Sequence, residues 1–551
     1  MLAERIASHA WYHRCIPDLF AETCRLRGER SALIHDGGEI SFRALFDDVQ
    51  LMAQALTQRG IGPGDVVATL PVPSPEFATL YLATLQVGAV VNPLNLLWGS
   101  LEFAGVLPRN QPSMIVTVDR FGGRDYIAML KESIPDLRWT NGRPGSATIP
   151  ALAHLVCLSR SGTRHDGFDD FSSLQGSELA IDRAQTEAQI AARRPTDVQF
   201  ICQTSGTTGL SKSALWDHRP PLATVNFAAK ALRFTEADCF MNLSPFFHNS
   251  GLFALNLNLV LAGTSVVLME TFNPELALGL IERHRCSATF GFDAHWQGLR
   301  RAPNFAPENF TIDKAILAGE AKTYDLVRSM CPKNAVISSL YAQTENGPLV
   351  SLSDHDCVDE AINKYRHGRP LPGVQVVIKD IDTKERVAQG EPGEICYKSP
   401  FMFRGYLRQD DETRAAFDDE GYFHSGDYGH LDGGYITFLG RLGGVVKSGG
   451  ENVSTARVTT LLLDRFADEF DDVKTIGIDD DYWGAKVVSF VRVRGDRPLQ
   501  TTAELREACK GSMADYEIPR EFLAWKGEWP VTPEGKIDFT RLHAAAMSRD
   551  T

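Results

Sequence analysis

The run Gln203-Thr204-Ser205-Gly206-Thr207-Thr208-Gly209-Leu210-Ser211-Lys212-Ser213 constrains this chain more than any other stretch. It follows an apolar, strand-like segment, residues 198–202, and packs hydroxyl residues, two glycines and a lysine into the nine positions from Thr204 to Lys212. Glycine lets a backbone approach a ligand closely and turn its N–H groups toward one point. Successive N–H groups make an anion-binding concavity, and a lysine adds a compact positive charge. That chemistry suits a polyphosphate. A Gly/Ser linker shares the composition but lacks a preceding buried strand and a closing lysine. A Walker A loop needs Gly before the Lys-Ser pair, and Ser211 stands there.

A chain of 551 residues is long enough for two or more domains. Its formal net charge of −14 argues against a nucleic-acid or anionic-membrane partner. The ten cysteines are scattered without a Cys-x-x-Cys, as expected of reduced thiols in a cytoplasmic protein. Leu252 to Met269 carries no charge, yet Asn256 and Asn258 sit inside it and Gly263-Thr264-Ser265 break it. It reads as a buried helix followed by a buried strand, with no membrane span.

Helical and strand patterns alternate from about 17 to 135, the signature of an α/β domain. Ser74 and Pro75 mark a helix start whose apolar face, Phe77, Leu80, Tyr81 and Leu85, runs to Gly88 before the strand Ala89-Val90-Val91. Residues 137–175 read as irregular surface loop. Further on, Phe246-Phe247-His248-Asn249 offers an aromatic pair and a histidine to a pocket. Two strands end in polar turns, at Gly319-Glu320 and at Tyr341-Ala342-Gln343-Thr344-Glu345. Such strand ends are where open α/β sheets place ligands. Tyr341 could stack on a base, Thr344 donate to a phosphate and Glu345 hold Mg²⁺. From 365 to 440, short strands between Gly/Pro turns suggest a β-rich subdomain containing Asp427, and 440–444 is a candidate boundary.

These residues resemble the adenylate-forming superfamily of acyl-CoA ligases, peptide-synthetase adenylation domains and firefly luciferase. Ser-Gly-Thr-Thr-Gly-x-x-Lys, Tyr-x-x-Thr-Glu, Ser-Gly-Asp, Gly-Arg, Lys-Ser-Gly-Gly-Glu-Asn and a late Gly-Lys follow in the family's order along most of the chain. The resemblance implies an α/β fold with a large N-terminal domain, residues 1–440, of two mixed sheets with flanking helices and a β-barrel-like subdomain. A small mobile α+β C-terminal domain, residues 441–551, would follow a hinge near Gly443. It implies a carboxylic acid activated by ATP and Mg²⁺ as an acyl-AMP, then transferred to coenzyme A with release of AMP.

Carried across position by position, the loop from Thr204 to Lys212 would hold the outer phosphates, and Gly319 and Glu320 would lie at the nucleotide. Tyr341 would pack on adenine, Thr344 contact the α-phosphate, Glu345 bind Mg²⁺, and Asp427 with Arg441 hold the ribose. Lys536 would bridge carboxylate and α-phosphate in the first half-reaction. Lys447 to Glu451 would swing in for the second, Gly449 and Gly450 leaving room for the pantetheine arm. His248 would line the junction of acid pocket and thiol tunnel. Phe246, Phe247, Asn249, Phe292, Asp293, His295 and Trp296 are placed as pocket lining for a bulky acid.

The chain departs from the family pattern where Ser211, Ser213 and Ala342 replace Pro, Gly and Gly, and where Thr455 to Thr459 replace an acidic helix start. A β-carbon where a glycine needs positive φ or close approach costs on the order of 1 kcal/mol. A ligase impaired in adenylation, working on a supplied acyl-adenylate, is therefore one alternative. An amide synthetase and a non-catalytic nucleotide-binding relative are others, and a homodimer is left open.

Overall fold

The computed structural model describes residues 13–175, 183–204, 211–319, 321–347, 349–353, 359–448, 451–480, 484–495, 497–510, 513, 516–531 and 537–548. The chain divides into two compact units.

The first unit comprises Met1–Lys364, Leu371–Val374 and Ser399–Ala415. Among the described residues it holds two large sheets. One runs in the order Gly38–Ser41, Ser31–His35, Ser265–Val267, Cys239–Met241, Ala288–Phe292, Lys314–Ala318, Val336–Ala342 and Leu349–Leu352, parallel except at the first and last of these pairings. The other runs Asp169–Asp170, His154–Leu158, Met114–Val118, Val66–Thr69, Val90–Pro93, Phe200–Gln203 and Ser213–Trp216, antiparallel only at its last pair. Parallel strands are covered on both faces and so read as continuous apolar runs. Met114–Val118 is buried at every position.

The helix expected from Ser74 forms as Pro75–Gln86, with the Ser74 hydroxyl accepting from the Phe77 N–H. Gly88 then takes φ +79°, a left-handed turn that a side chain would strain, and the chain enters the strand Val90–Pro93. The uncharged run forms the buried helix Asn249–Leu255, a π-helical continuation Asn256–Ala262 and the strand Ser265–Val267. Its two asparagines are satisfied internally: Asn256 accepts from the Tyr81 hydroxyl, and Asn258 donates to the Ala254 carbonyl. Among the described residues, no helix is long and apolar enough to cross a membrane.

Residues 137–175 correct the expectation of an irregular loop. They contain a hairpin of Arg138–Thr140 with Arg143–Gly145 and the buried strand His154–Leu158. The apolar Leu155-Val156-Cys157 triplet is the strand signal, outweighed in composition by its Gly- and Ser-rich surroundings. The nine described cysteines are free thiols, eight of them buried.

The second unit comprises Tyr365–Pro370, Gln375–Lys398 and Ala416–Thr551. The β-rich stretch forms an antiparallel sheet of Gln375–Lys379, Gly393–Lys398, Phe423–Asp432 and Tyr435–Arg441. The C-terminal residues form a second sheet around the long hairpin of Phe470–Asp480 with Gly484–Val493, and Thr455–Arg465 packs against it. That helix has no acid in its first turn. The Ser454 hydroxyl caps it instead, accepting from the Arg457 N–H.

Candidate active site

The neck of the glycine loop is a closed hairpin. Phe200–Gln203 pairs antiparallel with Ser213–Trp216, the Thr204 N–H donates to the Lys212 carbonyl at 2.9 Å, and the Ser211 hydroxyl donates to the Thr204 carbonyl. The loop tip, Ser205, Gly206, Thr207, Thr208 and Gly209, lies outside the described residues. Neither Ser211, Ser213 nor Ala342 has positive φ, so none of the three carries left-handed backbone strain. Ser213 points inward. Fully buried, its hydroxyl donates to Asn110 Oδ1 at 2.9 Å, lies 3.2 Å from Gln203 Oε1, and accepts from Arg109 Nη2 at 2.9 Å. Arg109 also donates to the Ser211 carbonyl.

A segment that the sequence did not mark runs beside this neck. Leu215 N–H donates to the Gly405 carbonyl and Leu407 N–H to the Ser213 carbonyl, with a bridge between Ala214 and Tyr406. The pairing sets the Tyr406 ring under Lys212, whose Nζ is 4.6 Å from the ring centroid. The Tyr406 hydroxyl donates to Glu345 Oε1 at 2.7 Å. Burial, with Glu345 beside it, raises the phenol well above its ordinary range, so the hydroxyl stays a donor.

Thr344 and Glu345 sit in the short 3-10 turn that follows the strand Val336–Ala342, with Gly347 at φ +75° ending it. Tyr341 is buried in that strand, and Ala342 is exposed. Thr344 is fixed from two sides: its carbonyl accepts from Trp216 Nε1 at 2.8 Å, and its hydroxyl accepts from Asn249 Nδ2 at 3.3 Å. Glu345 Oε2 has no hydrogen-bond partner among the described residues. A carboxylate oxygen left open beside a phosphate-type loop fits Mg²⁺, which takes one or two protein carboxylates and completes its shell from phosphates and water.

The aromatic stretch divides. Phe246 is fully buried, its ring 5.2 Å from that of Phe77, and Phe247 packs on the core of the second sheet. His248 is exposed at the head of the helix Asn249–Leu255, with Nδ1 2.9 Å from the Ser250 hydroxyl and its ring edge-on to Phe292 at 5.5 Å. His295 Nδ1 accepts from the Phe292 N–H at 3.3 Å. Burial and neighbouring His248 push the His295 imidazole down to about 4, so it is neutral at pH 7.

Two glycines make room here. A β-carbon on Gly319 would lie 2.2 Å from Asp293 Oδ1, and one on Gly291 would lie 2.5 Å from Trp296 Nε1. Gly319 and Asp293, expected at the nucleotide and in the acid pocket, are thus immediate neighbours. Glu320 lies outside the described residues. An apolar crevice behind Asn249, lined by Phe200, Trp216, Thr224, Leu252 and Phe253, has room for about one water and cannot seat a bulky acid.

In the second unit, Asp427 and Arg441 are cross-strand partners. Arg441 Nε lies 3.0 Å from Asp427 Oδ1; the carboxylate is 2% exposed and the guanidinium side chain 53%. Lys447 belongs to the strand Val445–Ser448, which pairs with Glu451–Ser454, while its side chain, Gly449 and Gly450 lie outside the described residues. Lys536 does too; Val531 and Ile537 bridge across its segment.

A family model described as AMP-binding enzyme matches residues 20–407. The chain is 26% identical over 550 residues to the medium-chain fatty-acid–CoA ligase of Escherichia coli, covering 98% of this chain and 92% of that protein. It is 26% identical over 535 residues to a methyl-dioxo-octahydroindenyl propanoyl:CoA ligase of Rhodococcus jostii, covering 95% and 96%. ATP-bound MatB of Rhodopseudomonas palustris shares its fold with a TM-score of 0.80 at 24% identity, covering 96% and 98%.

Proposed function

Because the chain belongs to the AMP-binding enzyme family, we propose that it is an acyl-CoA ligase that joins a bulky carboxylic acid to coenzyme A through an acyl-AMP. One observation carries this reading: Lys212, Tyr406, Glu345, Thr344 and Asn249 form one continuous contact chain from the phosphate-type loop to the mouth of the aromatic stretch. The coenzyme A acceptor is supported by the names of the full-length relatives and by the Lys447-Ser-Gly-Gly-Glu451 motif.

In the first half-reaction a carboxylate oxygen of the acid attacks the α-phosphorus of ATP, and the bond to the β-phosphate breaks to release pyrophosphate. The Thr204–Lys212 loop holds the outer phosphates, the Thr344 hydroxyl donates to an α-phosphate oxygen, and Asp427 with Arg441 takes the ribose hydroxyls. Glu345 would hold Mg²⁺, which would supply positive charge against the phosphates. Lys536 supplies positive charge between carboxylate and α-phosphate, where negative charge builds. In the second half-reaction the coenzyme A thiol gives up its proton to solvent as its sulfur attacks the acyl carbonyl, and the acyl–oxygen bond breaks to release AMP. Lys447 to Glu451 serve that step, and His248 stands at the acid.

Adenylation is intact in this reading, because Ser211 and Ser213 brace the loop neck and Ala342 carries no backbone strain. The nine described cysteines, free and mostly buried, fit a reducing, cytoplasmic setting. The test incubates the protein with ATP, Mg²⁺, coenzyme A and a panel of medium-chain, aryl and polycyclic acids, with parallel arms offering amines. Acyl-CoA and AMP formed in equal amounts is the expected result. Amides in place of thioesters, or no AMP with any acid, would overturn it.

A further inference from the structure

Tyr406 lies 61 residues beyond Glu345, and the glycine loop and the Tyr-x-x-Thr-Glu turn bear no mark of it. Yet it touches both. Its backbone is fixed by the bridge to Ala214 and by the Thr413 hydroxyl, which accepts its N–H at 2.9 Å. Its ring is 5% exposed and packs edge-on to Phe403 at 4.8 Å. Phe403 N–H in turn donates to the Glu345 carbonyl at 2.8 Å, so one short segment grips Glu345 by both backbone and side chain.

Packing alone would be served by phenylalanine. The hydroxyl does something phenylalanine cannot: it takes Glu345 Oε1 and leaves Oε2 without a partner among the described residues. The face of the same ring holds the Lys212 ammonium by cation–π attraction. One side chain thus meets both groups a magnesium–nucleotide needs, the lysine at its ring face and the carboxylate at its hydroxyl.

Resting on the ligase reading, we propose that Tyr406 is a positioning residue that couples the phosphate loop to the metal carboxylate. Its ring seats Lys212 and its hydroxyl turns Glu345 so that one oxygen faces the cation of a magnesium–nucleoside triphosphate. A hydrogen bond to a charged group is strong enough that its loss weakens that binding by roughly tenfold.

The test measures Mn²⁺·ATP binding by electron paramagnetic resonance of free Mn²⁺, alongside acid-dependent pyrophosphate exchange. Four proteins are compared: wild type, Tyr406→Phe, Glu345→Gln and the double variant. The expected result is roughly tenfold weaker Mn²⁺·ATP binding in Tyr406→Phe. Its exchange KM for Mg·ATP should rise by a similar factor, with kcat moving far less. In the Glu345→Gln background the same substitution should add less than about twofold, because the two residues act as one unit. If wild type binds Mn²⁺·ATP and Tyr406→Phe binds it equally well, the coupling is wrong while the ligase reading stands. If the two variants weaken binding independently, Tyr406 is merely structural and the coupling is again wrong. If wild type binds no Mn²⁺·ATP, the ligase reading falls and the coupling with it.

Discussion

Ser213 is held by Asn110, Gln203 and the guanidinium of Arg109, and Asn110 in turn donates to Asn92 at 2.9 Å. A hydroxyl with three polar partners in a fully buried site is a structural component, and removing it leaves those partners unsatisfied. Ser213→Gly is therefore expected to destabilise the protein by about 1–3 kcal/mol in denaturant titration and to leave acid-dependent exchange no faster. A severalfold gain in exchange would show instead that the serine hinders the nucleotide. The sequence flagged Ser213 as a departure but placed its β-carbon toward the ligand. Arg109 lies 104 residues away, with no local pattern to join the two.

Larger pieces were legible where one periodicity or cap dominated. Ser74-Pro75 named a helix start, and the uncharged run from Leu252 named a buried helix and strand. The strand His154–Leu158 and the segment carrying Tyr406 escaped because their meaning lies in pairing with distant strands. Helix Ile16–Arg27 shows the same dependence. No side chain within it caps its start, and the Ile16 N–H is taken by His218 Nδ1 at 3.1 Å, from the residue preceding helix Arg219–Ala231. Burial, with Arg193 adding repulsion, pushes that imidazole down to about 3.

A histidine kept neutral when folded binds fewer protons than when unfolded. Its stabilisation is complete above about pH 6.5 and is lost as pH falls toward the folded value. Denaturation measured at pH 7 and pH 5 should show a loss of up to about 2 kcal/mol from His218 alone. His367, pushed down to about 4 by burial, adds to it. In His218→Gln, which keeps an acceptor for Ile16, the slope between those pH values should be shallower. An unchanged slope would remove His218 from the account.

For the molecule as a whole, the family motifs distribute unevenly. The first unit carries the glycine loop, the Tyr-x-x-Thr-Glu turn and the aromatic stretch; the second carries Asp427, Arg441, Lys447 and Lys536. The β-rich strands share one compact unit with the C-terminal residues, a tertiary relation that a chain read in order does not express. The acid was the least legible element, since two of the aromatic residues placed along its pocket, Phe246 and Trp296, turn out to be fully buried core.

The central claim is that this protein makes its own acyl-adenylate before passing the acyl group on. Its most direct measurement is ATP–pyrophosphate exchange with an acid panel, run beside thioester formation from a synthetic acyl-AMP. Acid-dependent exchange should accompany thioester formation for the same acyl group. Thioester from supplied acyl-AMP with no exchange for the matching free acid would contradict it.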